Sequence, residues 1–267
     1  MKRIIVTSDF HCGHQTGLTP PGYRWEKVEN PNTDFLRRRN KYLETQKSVW
    51  KWYVENIRKM GPFDYHFNLG DNTDGRGEKS GSTELITSDL NIQAEMAIRC
   101  NEVIKAKKRV MVYGTPYHTS AGYADIEDTV ANGLGNVVKI GSREWIDVEG
   151  VTFDLKHAVS KSSVPHGQGA PLAKEWMWNA IWNGRNELQP KADVFLRGHI
   201  HDYNVVGSTN WTAMSVPAFE WGTKFGNRIC SGIVSIGFVV FEVNKENYSW
   251  KHIQCELDVL KTKAIKL

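Results

Sequence analysis

Over roughly its first 120 residues the chain alternates short apolar runs with long helical patterns, and this alternation restricts the fold more than any other feature. The runs are RIIVTS, YHFNLG and RVMVYG. Between the first two, DFLRRRNKYLETQKSVWKWYVENIRKM sets Leu36, Leu43, Val49, Trp50, Val54 and Ile57 at roughly helical spacing. Between the second and third, SDLNIQAEMAIRCNEVIKAKK does the same with Leu90, Ile92, Ala97, Ile98, Val103 and Ile104. Strand, helix, strand, helix, strand predicts an α/β start with parallel pairing. After about residue 140 the runs shorten to REWIDV, VTFDLK, YNVVGS, WTAMSV, GIVSIGFVVFEV and YSWKHIQCEL. That half reads as mostly antiparallel, with PLAKEWMWNAIWNGRNEL as a helical insert. With no linker, repeat or low-complexity tract, residues 1–267 read as one domain.

Composition narrows the setting. A formal charge of +4 is too small to argue for nucleic acid and merely permits an anionic substrate. The apolar run after Lys2 and Arg3 is too short for a signal peptide or a membrane span, so the cytoplasm is the expectation. Cys12, Cys100, Cys230 and Cys255 lack C-x-x-C spacing and read as free thiols, Cys12 as packing. Trp50, Trp52, Trp176, Trp178 and Trp182 fall in helical patterns and read as packing residues, and Arg37 to Arg39 as a solvated helix face.

The chemistry sits where the strand-like runs end. Asp9 and His11 follow the first, and an extended segment would point both to one side. Asp71 and Asp74 (GDNTDG) follow the second, and Thr115 and His118 (GTPYHT) the third. VTFDLK ends in His157, and DVFLRG ends in GHIH, with His199 and His201. Ligands collect beyond the carboxyl ends of strands in open α/β sheets, so these five ends read as one metal constellation. Imidazole with carboxylate suits Mn, Fe and Zn, whereas an all-oxygen set suits Mg or Ca. Two divalent cations bring four positive charges, of which Asp9 and Asp71 remove two. The surplus favours a bound hydroxide and a phosphate oxyanion. Cations about 3.5–4 Å apart share a water and lower its pKa toward ~7. Asp71, at the end of the central strand, is the natural bridge.

In their order D-x-H, G-D-x-x-D, a turn in the place of G-N-H, a lone His and G-H-x-H, these motifs resemble the calcineurin-like metallophosphoesterase superfamily. They run from Asp9 to His201. The resemblance implies a four-layer α/β/β/α sandwich. It also implies two divalent metal ions, Mn first with Fe or Zn as alternatives. Asp9, His11, Asp71 and His201 would hold one ion; Asp71, His157 and His199 would hold the other. Asp74 would orient a ligand or cap a turn. The activity implied is that of a phosphoesterase, in which a metal-bridging hydroxide attacks phosphorus. A phosphodiester of a nucleotide or nucleic acid is the first expectation for the substrate. A phosphomonoesterase, including a protein phosphatase, and a metal-binding scaffold without turnover are the alternatives.

The third motif departs from the family. Thr115 stands where Asn is usual and Pro116 where His is usual. Thr115 could ligate through its hydroxyl or leave that position to water. His118 takes the general-acid role, with the missing ligand as its alternative. The G-T-P-x-H variant resembles phage-type and bacterial members. Residues 159–176 and 15–35 read as rim loops, with Lys161, His166 and Lys174 as candidate phosphate contacts. Diester against monoester, the metals and the oligomeric state stay open at this stage.

Overall fold

Alternate residues of the first apolar run serve two different cores: Ile5 joins one buried cluster while Ile4 and Val6 join another, as a pleated strand requires. The computed structural model describes all residues except 79–80, 121–123, 187, 263 and 265–267. In chain order its strands are β1 (Lys2–Thr7), β2 (Phe63–Asn68), β3 (Ala106–Val112), β4 (Val137–Gly141), β5 (Glu144–Val148), β6 (Val151–Lys156), β7 (Val194–Arg197), β8 (Asn204–Ser208), β9 (Trp211–Ser215), β10 (Gly237–Asn244) and β11 (Asn247–Gln254). Its α-helices are α1 (Asp34–Met60), α2 (Leu90–Glu102), α3 (Pro116–Thr119), α4 (Ile126–Leu134), α5 (Ala170–Asn186) and α6 (Lys224–Ile229).

Two sheets form, in the orders β11-β10-β1-β2-β3-β4 and β5-β6-β7-β9-β8. The first pairs β1, β2 and β3 in parallel, as the opening alternation predicts, extends in parallel to β4, and adds β10 and β11 antiparallel at the β1 edge. One face of it buries Ile5, Met111 and Val240 against Val49, Tyr53 and Ile57 of α1, Ala94 and Ala97 of α2, and Val130 of α4. Its other face sets Ile4, Val6, Val110, Val112, Val239 and Phe241 against Phe153, Leu155, Val194, Leu196 and Met214 of the second sheet. The outer face of that sheet buries Phe195 and Ala213 under Leu172 of α5. Helices, sheet, sheet, helix: the fold is the four-layer α/β/β/α sandwich.

Local chemistry sets the helix starts. Thr33 Oγ1 accepts from the Leu36 N–H at the head of α1, and the Asp89 carboxylate accepts from Asn91 and Ile92 at the head of α2. The expectation of a mostly antiparallel second half holds at β5–β6, β8–β9, β10–β11 and β1–β10. It fails at the centre of the second sheet, where β6, β7 and β9 pair in parallel. The helical insert is the crossover that returns the chain from β6 to β7, and such a crossover enforces parallel pairing. Two further readings are amended. Residues 15–20 are buried packing rather than rim, with Leu18 N donating to Phe10 O and Gln46 Nε2 donating to Gln15 O. Trp176 stacks on Trp211, but Trp178 and Trp182 stand 53% and 40% exposed. The four cysteines are free thiols. Among the described residues no helix is long and apolar enough to cross a membrane.

Phe153 sits between Phe67 and Phe241, with ring centroids 5.5 and 5.4 Å away. Phe153→Ala would open a cavity between the sheets, and we expect a loss of about 3–5 kcal/mol in urea unfolding. A loss under about 1 kcal/mol would show that the two sheets do not share this core.

Candidate metal centre

Strand ends of both sheets meet at one cleft of about 490 Å³. β1 delivers Asp9 and His11, β2 delivers Asp71 and Asp74, and β3 leads into Thr115 and His118. β6 delivers His157, and β7 delivers His199 and His201. The backbone there is unusual. Asp9, His11, Asp71, His199 and His201 have φ of 55°, 45°, 51°, 72° and 53°, in the left-handed region that few non-glycine residues enter. Each costs about 1–3 kcal/mol and persists only where its surroundings over-determine it. Here backbone bonds between loops do so: Asp9 N to Gly70 O, His11 N to Asp71 O, Phe219 N to Asp9 O and Ser235 N to His201 O, at 2.7–3.0 Å. Asp9 and His11 therefore converge by a different route from the extended segment expected, because β1 ends at Thr7.

Asp9 is fully buried. Its Oδ2 accepts from Ser8 Oγ and from the His199 N–H. Its Oδ1 has no hydrogen-bond partner, yet lies 3.2 Å from His201 Nε2, 3.7 Å from His11 Nε2 and 4.0 Å from His157 Nε2. A buried carboxylate oxygen facing three imidazole nitrogens, with no hydrogen bond of its own, is the donor chemistry of a cation site. Asp71 faces both ways: its Oδ2 lies 2.9 Å from His157 Nε2 and 3.9 Å from His11 Nε2, while its Oδ1 accepts from the Thr115 N–H. Among the described residues, donor atoms fall into three clusters that could hold a metal ion: Asp9–His11–His201, Asp71–His157–His199 and His11–Asp74–His118. The first two bring Asp9, His11 and His201 together on one side and Asp71, His157 and His199 on the other, with Asp71 absent from the first.

The rings are aimed from behind. His11 Nδ1 lies 3.0 Å from Asp74 Oδ1, and His157 Nδ1 lies 2.6 Å from the Leu69 carbonyl. Each partner accepts the Nδ1–H and so leaves the Nε2 lone pair free for a cation. Close packing is also required. A Cβ on Gly198 would overlap Ser8 Oγ and stand 2.9 Å from Asp9 Oδ2. Thr115 Oγ1 lies 3.1 Å from Asp71 Oδ2, 3.1 Å from His157 Nε2 and 3.2 Å from His199 Nδ1. The hydroxyl thus occupies the second cluster. His118 does not join that cluster; its ring packs edge-on against His11, and its Nδ1 donates to the Asp74 carbonyl at 2.8 Å.

Electrostatics follow from the packing. Burial would raise Asp71, but His157, His118 and His11 outweigh it and hold the carboxyl at about 2. Burial would lower His157, but Asp71 and Asp9 push it up to about 9. Burial, then His11, lowers His118. Of the candidate phosphate contacts Lys161 lines the cleft, whereas His166 and Lys174 are exposed outside it.

Sequence reasoning passed over three residues. Glu220, 5% exposed, reaches His11, His14 and His201. It follows β9, so the strand-end rule that found the others applies to it too. Glu84 is buried against Gln15 and the Lys224 N–H. Glu127 on α4 accepts from the Asn72 N–H and Nδ2 and so braces the loop after Asp71. Burial pushes its carboxyl up to about 8.

No known family model matches the chain, and no curated protein does. Similar solved structures exist. Vps29 from Entamoeba histolytica, in a single-mutant form, is 10% identical over 95% of this chain and 99% of its own, with a TM-score of 0.45. A structure titled as a novel archaeal phosphodiesterase is 13% identical over 94% and 99%, with a TM-score of 0.46. A predicted phosphoesterase from Streptococcus pneumoniae is 13% identical over 95% and 89%, with a TM-score of 0.40. Identities and TM-scores this low carry no argument about activity.

The raised His157 gives a pH dependence. At neutral pH this imidazole carries a proton, which a cation taking Nε2 must displace. Apparent Mn²⁺ affinity should therefore rise with pH, by about tenfold per unit for each proton released, because the carboxylates around His11 raise that imidazole as well. Calorimetric titration at about pH 6.5, 7.5 and 8.5 checks this. Equal affinities at all three would refute it.

Proposed function

We propose that the chain is a phosphoesterase that uses two divalent cations, with Mn²⁺ the first candidate, to hydrolyse a phosphodiester of a nucleotide or nucleic acid. The observation that carries this reading is Asp9 Oδ1, buried without a hydrogen bond among three imidazole nitrogens. Asp9, His11, Asp71 and His201 would hold one cation. Asp71, Thr115, His157 and His199 would hold the other, with the Thr115 hydroxyl where the family has asparagine. Bound there, the pair would supply Lewis acidity toward a phosphoryl oxygen and a water with its pKa lowered toward about 7.

The remaining residues position and protonate. Lys161, on the rim, would meet a non-bridging phosphate oxygen. Trp221 and Phe225, which also line the cleft, would offer apolar faces to a base or other aromatic ester group. The Nδ1–H of His118 is engaged by Asp74, so Nε2 is the atom that would deliver a proton to the leaving oxygen. Because burial and His11 lower this imidazole, its charged form depends on the anionic ester seated beside it.

A Mn²⁺-supplemented screen against bis-p-nitrophenyl phosphate, p-nitrophenyl phosphate and single-stranded DNA tests the proposal. Diester turnover is expected. Monoester turnover alone would replace the substrate class, and no turnover would leave a metal-binding scaffold. Asp71→Asn should abolish turnover and lower metal content, since a neutral amide cannot hold two cations as a carboxylate does. Wild-type rate at full occupancy in that variant would refute the bridge.

His118→Ala separates the acid role from ligation. It should keep both ions and lose about 10²–10⁴-fold on an alkyl or nucleoside ester, with a much smaller loss on a p-nitrophenyl ester, whose phenolate leaves unaided. Loss of one ion, with equal slowing on both esters, would make His118 a ligand instead.

A further inference from the structure

Glu220 lies outside every motif that marks the centre. Its flanking backbone is tied to the first motif's loop on both sides: Phe219 N donates to Asp9 O at 3.0 Å, and Trp221 N donates to Thr16 O at 3.1 Å. The carboxylate is therefore held at the floor of the cleft, 5% exposed. Its Oε1 faces His14 Nδ1 at 2.9 Å, a nitrogen that also lies 3.2 Å from Thr16 N and 2.7 Å from Thr16 Oγ1. Oε2 lies 3.7 Å from His201 Nδ1 and 3.9 Å from His11 Nε2. No lysine or arginine pairs with Glu220 among the described residues.

Around His11 Nε2, His201 Nε2 stands at 3.2 Å, Asp9 Oδ1 at 3.7 Å, Asp71 Oδ2 at 3.9 Å and Glu220 Oε2 at 3.9 Å. The glutamate is as close to this nitrogen as Asp71 is. Donors about 2.1 Å from one octahedral ion stand roughly 3.0 Å apart when adjacent and roughly 4.2 Å apart when opposed, so these four would reach that geometry by drawing in by up to about 1 Å. We propose that Glu220 is a further ligand of the first cation, and that it selects a hard divalent ion, Mn²⁺ over Zn²⁺, at that position. The proposal rests on the two-cation reading above. With Glu220 the first position gathers three carboxylates and two imidazoles, while the second has one carboxylate, one hydroxyl and two imidazoles. Carboxylate-rich sets suit Mn²⁺, and imidazole-rich sets suit Zn²⁺. Three carboxylates against four cationic charges still leave the centre positive toward a phosphate ester.

Equilibrium dialysis with elemental analysis gives the stoichiometry and affinity of Mn²⁺ and Zn²⁺ without reference to activity. The set is wild type, Glu220→Gln, Glu220→Asp, His199→Ala and the double variant His199→Ala/Glu220→Gln, each with its metal-free melting temperature. Wild type should hold two Mn²⁺. Glu220→Gln should weaken one of them by at least about 100-fold and weaken Zn²⁺ less, and Glu220→Asp, which keeps the charge, should retain more. His199→Ala should keep one Mn²⁺, which the double variant should lose. Two Mn²⁺ bound by Glu220→Gln as tightly as by wild type would overturn the proposal. Equal losses for Mn²⁺ and Zn²⁺ would overturn the selectivity. A wild-type chain that bound no metal would overturn the two-cation reading itself, and Glu220's role with it.

Discussion

Two carboxylates sealed from water, Asp9 and Asp71, set the terms for everything around them. An ionised carboxylate in such a place is costly unless charge and hydrogen bonds meet it. The structure answers with His11, His157 and His201 in front, and with the Ser8 hydroxyl and the His199 and Thr115 N–H groups at the side. The price is backbone strain at five positions. Asp and His are, with Asn, the non-glycine residues most often found left-handed. The residue types that suit a cation are thus also ones that tolerate the turns needed to present it.

The sandwich places this cluster at the seam of its two sheets. Pleat alternation gives the first sheet one core against helices and another against the second sheet, and the loops after β1, β2, β3, β6 and β7 line a common cleft. Rigid strands fix where the loops begin, and the bonds between loops fix how they end. Glu127 on α4, in the helical layer over the first sheet, braces the loop after Asp71 from outside the seam.

Much of this was legible in the chain. β1, β2 and β3 with α1 and α2 followed from periodicity, because each is long or strongly patterned. The six carboxylate and imidazole candidates followed from their places at strand ends. What was not legible depended on tertiary contact. The parallel pairing of β6, β7 and β9 lay behind a helix read as an insert. α4 and β4 carry short, mixed patterns. That Thr115 Oγ1, and not the His118 ring, stands among the donors of the second cluster is a tertiary placement that no motif encodes. Glu220 was missed because PAFEW lacks the histidine that drew attention elsewhere.

The division of donors between the sheets has a thermodynamic side. Asp9, His11 and Asp71 stand on loops of the first sheet, whereas His157, His199 and His201 stand on loops of the second. Each cluster of the candidate pair takes members from both. A cation that binds only when the sheets are closed stabilises the closed form by RT ln(1 + [L]/Kd), about 2.7 kcal/mol at a hundredfold excess over Kd. Ion occupancy and sheet closure would then be one linked equilibrium. Chelation would act as a mild denaturant at the seam, and opening of the seam would act as ion release.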